Sequence, residues 1–134
     1  MSAAFDWRNL LAILCGGGIG SVLRYAVTVL LTQRVGAGYA WIPTLLINVT
    51  GSLIIGAVFE LSQTRAFGIS PLVRIFLMTG VLGGYTTFST FSLDSVTLVA
   101  DRAVPLALAY ASGSVVLGFA AAYVGVVIAR AVQP

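Results

Sequence analysis

The 134-residue sequence has no histidine, no lysine and a single cysteine, Cys15. One thiol cannot close a disulfide within the chain, and a metal centre of the His/Cys type has no ligand set to draw on. Charge is scarce too. Seven arginines stand against four acids, so 8% of the residues are charged while 59% are hydrophobic, and the mean hydropathy is +1.04. Soluble domains are about one-quarter charged. A chain this short and this poor in charge cannot cover a water-facing surface with polar groups, which excludes a soluble globular fold. The acids are Asp6, Glu60, Asp94 and Asp101. No two of them sit together in an apolar centre, and acid–base catalysis normally needs a histidine or such a pair, so the reading is not an enzyme. The arginines are scattered singly, so the net charge of +3 forms no stripe that would track a phosphate backbone.

What the sequence has in quantity is long apolar runs. A spanning helix takes about 20 residues, so four spans with short loops use the whole length. The predicted spans are about 9–32, 41–61, 71–99 and 103–130, giving an all-α integral membrane protein with one four-helix domain over 1–134. No charge falls between Val35 and Phe59, or between Ala103 and Ala129. Gly36, Gly38 and Pro43 surround the first connection, Arg65, Gly68 and Pro71 the second, and Pro105 opens the last span. Trp7 and Trp41 stand at span ends, where interfacial aromatics gather. The apolar stretch from Leu10 continues past Cys15, and Leu14 is too large for a lipoprotein cleavage site, so the first helix is expected to be retained.

Orientation is poorly biased. Arg8, Arg65, Arg74 and Arg130 fall on one side; Arg34 and Arg102 fall on the other, with Arg24 leaning towards it. The positive-inside rule selects no clear direction from four against three. Two readings stand: small-number scatter, or a chain that inserts both ways and pairs as an antiparallel homodimer. The second would reproduce, from two copies, the inverted-repeat plan of transport proteins.

Small residues recur four apart at Gly16/Gly20, Ser52/Gly56, Gly80/Gly84 and Ser114/Gly118, which lets helix backbones approach closely in lipid. The third span carries the densest polar pattern. Gly83-Gly84 is a poor place for unbroken helix and is followed by Thr86, Thr87, Ser89 and Thr90. A break near 83–86 would leave main-chain groups needing protein, water or an ion. A glycine kink against a neighbouring helix is the competing reading. Phe88 and Phe91 lie three apart on one face, between hydroxyls, with Asp94 one turn on. They suit packing equally well. Turned to a pore, their positive ring edges favour a small anion without a formal charge. Thr44, Asn48 and Ser52 form a polar line on the second span, and Tyr110 and Ser114 another on the fourth. Asn48 is the one asparagine deep in a span, suited either to an anion or to interhelical bonding.

The string Gly80-x-x-Gly83-Gly84-x-Thr86-Thr87-Phe88-Ser89-Thr90-Phe91-Ser92 resembles the signature of the small fluoride channels known as Fluc, or CrcB. Gly20-x-x-x-Arg24-Tyr25, Asn48-x-x-Gly51, the length and the four spans extend the likeness over nearly the whole chain. The resemblance implies passive, selective export of fluoride across a bacterial inner membrane by a dual-topology antiparallel homodimer with two routes. It implies that Phe88, Phe91, Asn48, Tyr110 and Ser114 line the route, with hydroxyls from Thr87, Ser89 and Thr90, and that Arg24 draws anions into the vestibule. It also implies a central structural sodium on the main-chain carbonyls of Gly83 and Thr86. Asp94 stands where many members carry glutamate, and Gly118 where some carry a polar residue. The alternative is a small multidrug exporter, also four-helical and dual-topology, but proton-coupled export of cations would want an acid deep in the first helix.

Overall fold

A computed structural model describes residues 6–63 and 67–133; Arg65 lies outside them. Helix α1 runs Trp7–Val35 and α2 runs Trp41–Leu61, joined by a single 3-10 turn. The third span is composite. It passes through α3 (Pro71–Ile75), a π-helical stretch (Phe76–Leu82), α4 (Gly83–Tyr85), a break at Thr86 and Thr87, and α5 (Phe88–Ala100). The last helix, α6, is Val104–Ala131. All four spans are long and apolar enough to cross a membrane, and the described residues contain no strand.

Local chemistry places the ends. Asp6 accepts from the Arg8 amide to cap α1. Ser70 caps α3, with Pro71 at the first helical position. Between α5 and α6 the chain reverses through Arg102 at φ 60°, while the Ala103 amide reaches back to the Leu98 carbonyl at 2.9 Å. That is a left-handed helix terminator built without glycine.

Two tight helix contacts form the bundle. In one, α1 lies against the π-helical stretch and α4. A Cβ on Gly16 would stand 3.0 Å from the Gly80 Cα, and one on Gly84 would meet the Gly17 backbone. In the other, α2 lies along α6, where a Cβ on Gly56 would run into the Ala122 carbonyl and one on Gly125 into that of Leu53. Both are backbone-to-backbone approaches that only small residues permit. At one end the Arg130 guanidinium holds Glu60 through two bonds of 2.9 and 3.3 Å, joining the ends of the same two helices. Large side chains such as Leu14, Val22, Phe119 and Tyr123 point outward, as expected where the solvent is lipid.

The break falls slightly later than the glycine pair suggested. Gly83 and Gly84 stay helical, and Thr86 (φ −78°, ψ 159°) and Thr87 (φ −151°, ψ 117°) are the extended residues. Gly84 serves the approach of α1 instead, and the extended pair is fixed from α2.

The two helix contacts make a direct test. Gly56→Val should cost about 1–3 kcal/mol through overpacking against Ala122. Gly18→Ala, with nothing within 4 Å of the added carbon, should be neutral or mildly stabilising. Thermal unfolding of the purified protein in detergent separates the two; equal melting temperatures would show that the glycine approach is not limiting.

Candidate functional site

The break is held by one side chain. Asn48, midway along α2, donates from Nδ2 to the Thr87 carbonyl (3.0 Å) and accepts at Oδ1 from the Thr87 amide (2.8 Å). Its amide therefore stands in for a neighbouring peptide group and satisfies both polar groups of the extended residue. Gly51, one turn on, leaves the space in which the Thr86 methyl sits. In an unbroken helix the Thr87 amide would bond to the Gly83 carbonyl. Here it does not, and outside the helices no backbone amide among the described residues reaches the Gly83 or Thr86 carbonyl. Thr86 instead turns its hydroxyl back onto the Leu82 carbonyl at 2.9 Å.

Beyond the break, Thr87 caps α5. Its Oγ1 accepts from the Thr90 amide (3.2 Å), donates to the Thr90 hydroxyl (3.0 Å) and lies 3.2 Å from that of Ser89. The cap sets the direction in which α5 leaves, and with it the positions of Phe88 and Phe91. Their ring centroids are 5.5 Å apart with the planes tilted by 43°. Phe91 continues to Tyr110 at 5.4 Å, and Tyr110 to Trp41 at 5.5 Å. This aromatic line joins α5, α6 and α2. Phe91 and Tyr110 lie within it, whereas Phe88 is 78% exposed at its end.

These elements surround an open cleft of about 330 Å³ lined by Asn48, Ser52, Thr86, Thr87, Phe88, Phe91, Ser114 and Gly118, with Gly51, Ile55 and Val115. No charged side chain lines it. The Ser114 hydroxyl at its wall is buried and has no hydrogen-bond partner among the described residues. The structure thus brings Asn48, Thr86, Thr87, Phe88, Phe91 and Ser114 to one place. Tyr110 lies beside the cleft, not in its wall, and donates to the Asp94 carboxylate at 3.3 Å. Ser89 and Thr90 reach it only through Thr87. Arg24 is on α1, which contributes nothing to the lining, and Gly83 is exposed one turn before the break.

Sequence reasoning missed the partner of Asn48 and the bond between Asp94 and Tyr110. An amide deep in a span was a signal that a partner existed, but not where. The π-helical stretch left no sequence signal at all, although such stretches often accompany functional sites.

Residues 11–126 match the family described as CrcB-like protein, Camphor Resistance (CrcB). A protein of Rhizobium meliloti named fluoride-specific ion channel FluC is 45% identical over 92% of this chain and 98% of its own length. Nitrobacter hamburgensis has a fluoride-specific ion channel FluC 1, 46% identical over 92% of this chain and 97% of its own length. A more distant one from Flavobacterium psychrophilum, also named fluoride-specific ion channel FluC, is 37% identical over 92% and 98%. With a match of this extent and relatives covered almost end to end, the chain is a member of the CrcB-like family of integral membrane proteins.

Proposed function

We propose that the protein is a passive fluoride channel of a bacterial inner membrane and that the cleft at the break is one side of its route. The observation that carries this reading is the lining: two phenylalanine rings, hydroxyls and one amide converge, with no arginine among them. Fluoride is small and strongly hydrated, so it needs several close donors to replace its water. Each donor here is neutral, which keeps the ion from being held too tightly to leave, as conduction requires. The Phe88 and Phe91 edges carry partial positive charge. Asn48 keeps one Nδ2 hydrogen beyond the one given to Thr87. Ser114 has a free hydroxyl, Thr87, Ser89 and Thr90 supply a small hydroxyl network, and Tyr110 stands at the Asp94 end. Arg24 attracts anions towards the vestibule at range, without contact.

The working unit in this proposal is an antiparallel homodimer. A phenylalanine as exposed as Phe88, at the rim of a one-sided cleft, suits a second copy closing the route. The arginines support insertion both ways: Arg8, Arg74 and Arg130 lie at one end of the bundle, Arg34 and Arg102 at the other, and Arg130 is neutralised by Glu60. The residues also fit a structural sodium. The Gly83 carbonyl has lost its helical donor to Asn48, and hard oxygen donors at a helix break suit an alkali cation. Gly83 and Thr86 oxygens of both copies would hold it, and it would supply fixed positive charge between them.

Three outcomes follow. Phe88→Ile or Phe91→Ile keeps bulk but removes the ring edge, so fluoride efflux from liposomes should fall at least about tenfold, or ~1.4 kcal/mol of barrier, with the protein still eluting as wild type. Undiminished efflux would make the rings packing only. Asn48→Asp keeps an acceptor for the Thr87 amide but loses the donor and adds a like charge; its fluoride flux should vanish, and ready passage of fluoride would remove Asn48 from the route. Reporters fused to the C-terminus should be active on both faces of the membrane, whereas activity on one face alone would end the antiparallel assembly.

A further inference from the structure

The polar wall of the cleft has a gap on α6. Ser114 offers a hydroxyl, but one turn further, about 6 Å along the axis, stands Gly118 with no side chain. An ion leaving Ser114 in that direction meets nothing from α6. The space is not closed: a Cβ built on Gly118 has a single neighbour within 4 Å, the Ser52 hydroxyl of α2, at 3.6 Å. Ser52 also lines the cleft, one turn beyond Asn48.

The two serines differ from hydroxyl residues close by. Thr50, two residues before Ser52 on α2, turns its hydroxyl onto the Leu46 carbonyl at 2.7 Å. Ser112, two residues before Ser114 on α6, does the same with Leu108 at 2.7 Å. Such back-bonding is the ordinary resting place of a hydroxyl in a helix. Neither Ser114 nor Ser52 makes a side-chain hydrogen bond among the described residues. A hydroxyl kept free at membrane depth is costly unless something in the cleft accepts its proton.

We infer that Ser52 donates to the permeating anion at the level where Gly118 contributes nothing, so that the route passes from a hydroxyl on α6 to one on α2. The inference rests on the fluoride-channel reading and adds to it a residue and an order of contacts. The glycine also has a reason: with no side chain on α6 at this level, the Ser52 hydroxyl faces open space and not a neighbouring group.

The test is fluoride efflux from liposomes holding the purified full-length protein. Ser52→Ala should lower the rate at least about tenfold, and Ser52→Thr, which restores a hydroxyl into open space, should keep most of it. The decisive variant is Ser52→Ala with Gly118→Ser, which returns one hydroxyl to the same level from the opposite helix and should recover at least about threefold of the loss. Wild-type rates in Ser52→Ala would overturn the inference while leaving the channel reading intact. So would a loss that neither Ser52→Thr nor the added Gly118→Ser relieves, since a merely structural serine would not be replaced from another helix. Absence of fluoride efflux in the wild-type protein would overturn the channel reading itself.

Discussion

Two hydrogen bonds between Asn48 and Thr87 hold the site together. Without them the third span would carry an unsatisfied amide and an unsatisfied carbonyl at membrane depth, each costing several kcal/mol. With them, an extended residue becomes tolerable in the middle of a helix. The consequences spread in both directions. Upstream, the Gly83 carbonyl loses its usual donor because the Thr87 amide points at Asn48. Downstream, Thr87 is free to act as a cap, which starts α5 at Phe88 and aims both rings. A side chain on α2 thereby determines the geometry of a segment 39 residues away.

The break can be held in this way only because the helices around it come close. Gly51 keeps the face of α2 thin opposite Thr86, and Gly80 and Gly84 let α1 press on the segment from behind. The π-helical turn at Phe76–Leu82 adds a residue to each turn just before the break. Rotating the chain there changes which carbonyls face α1 and which face the cleft. Close approach and helix distortion therefore act together: the first brings Asn48 within reach, and the second presents Thr87 to it.

Much of the fold was legible in the sequence. Charge-poor runs bounded by arginine, proline and glycine mark the four spans because lipid tolerates little else, and most of α2 falls within the charge-free run from Val35 to Phe59. Helical spacing grouped Phe88 with Phe91, Asn48 with Ser52 and Tyr110 with Ser114, each within its own span; only the family resemblance joined Asn48, Phe88, Phe91 and Ser114 across spans. The position of the break was read too literally from glycine. Glycine weakens a helix in water, but between packed membrane helices it is as often the residue that permits contact, and Gly84 is used that way. Pairings such as Asn48 with Thr87, or Asp94 with Tyr110, depend on how two spans cross, and no local pattern carries that.

On the proposed reading, the cleft would recognise an anion without a cation in its wall. An arginine at this depth would bind fluoride tightly in a low dielectric, and a tightly bound ion does not move on. Neutral donors avoid that trap, but each is weak, so they must follow one another at short intervals. One face of a single helix recurs only about every 5.4 Å, so a second helix has to share the levels with it. The close packing of α2 on α6, which Gly56 and Gly125 make possible, sets Ser52 opposite Gly118. On the proposed reading, the small residues that hold the bundle together would also set which helix supplies the donor at each level, and a change in packing at Gly56 should be felt as a change in selectivity before it is felt as a loss of fold.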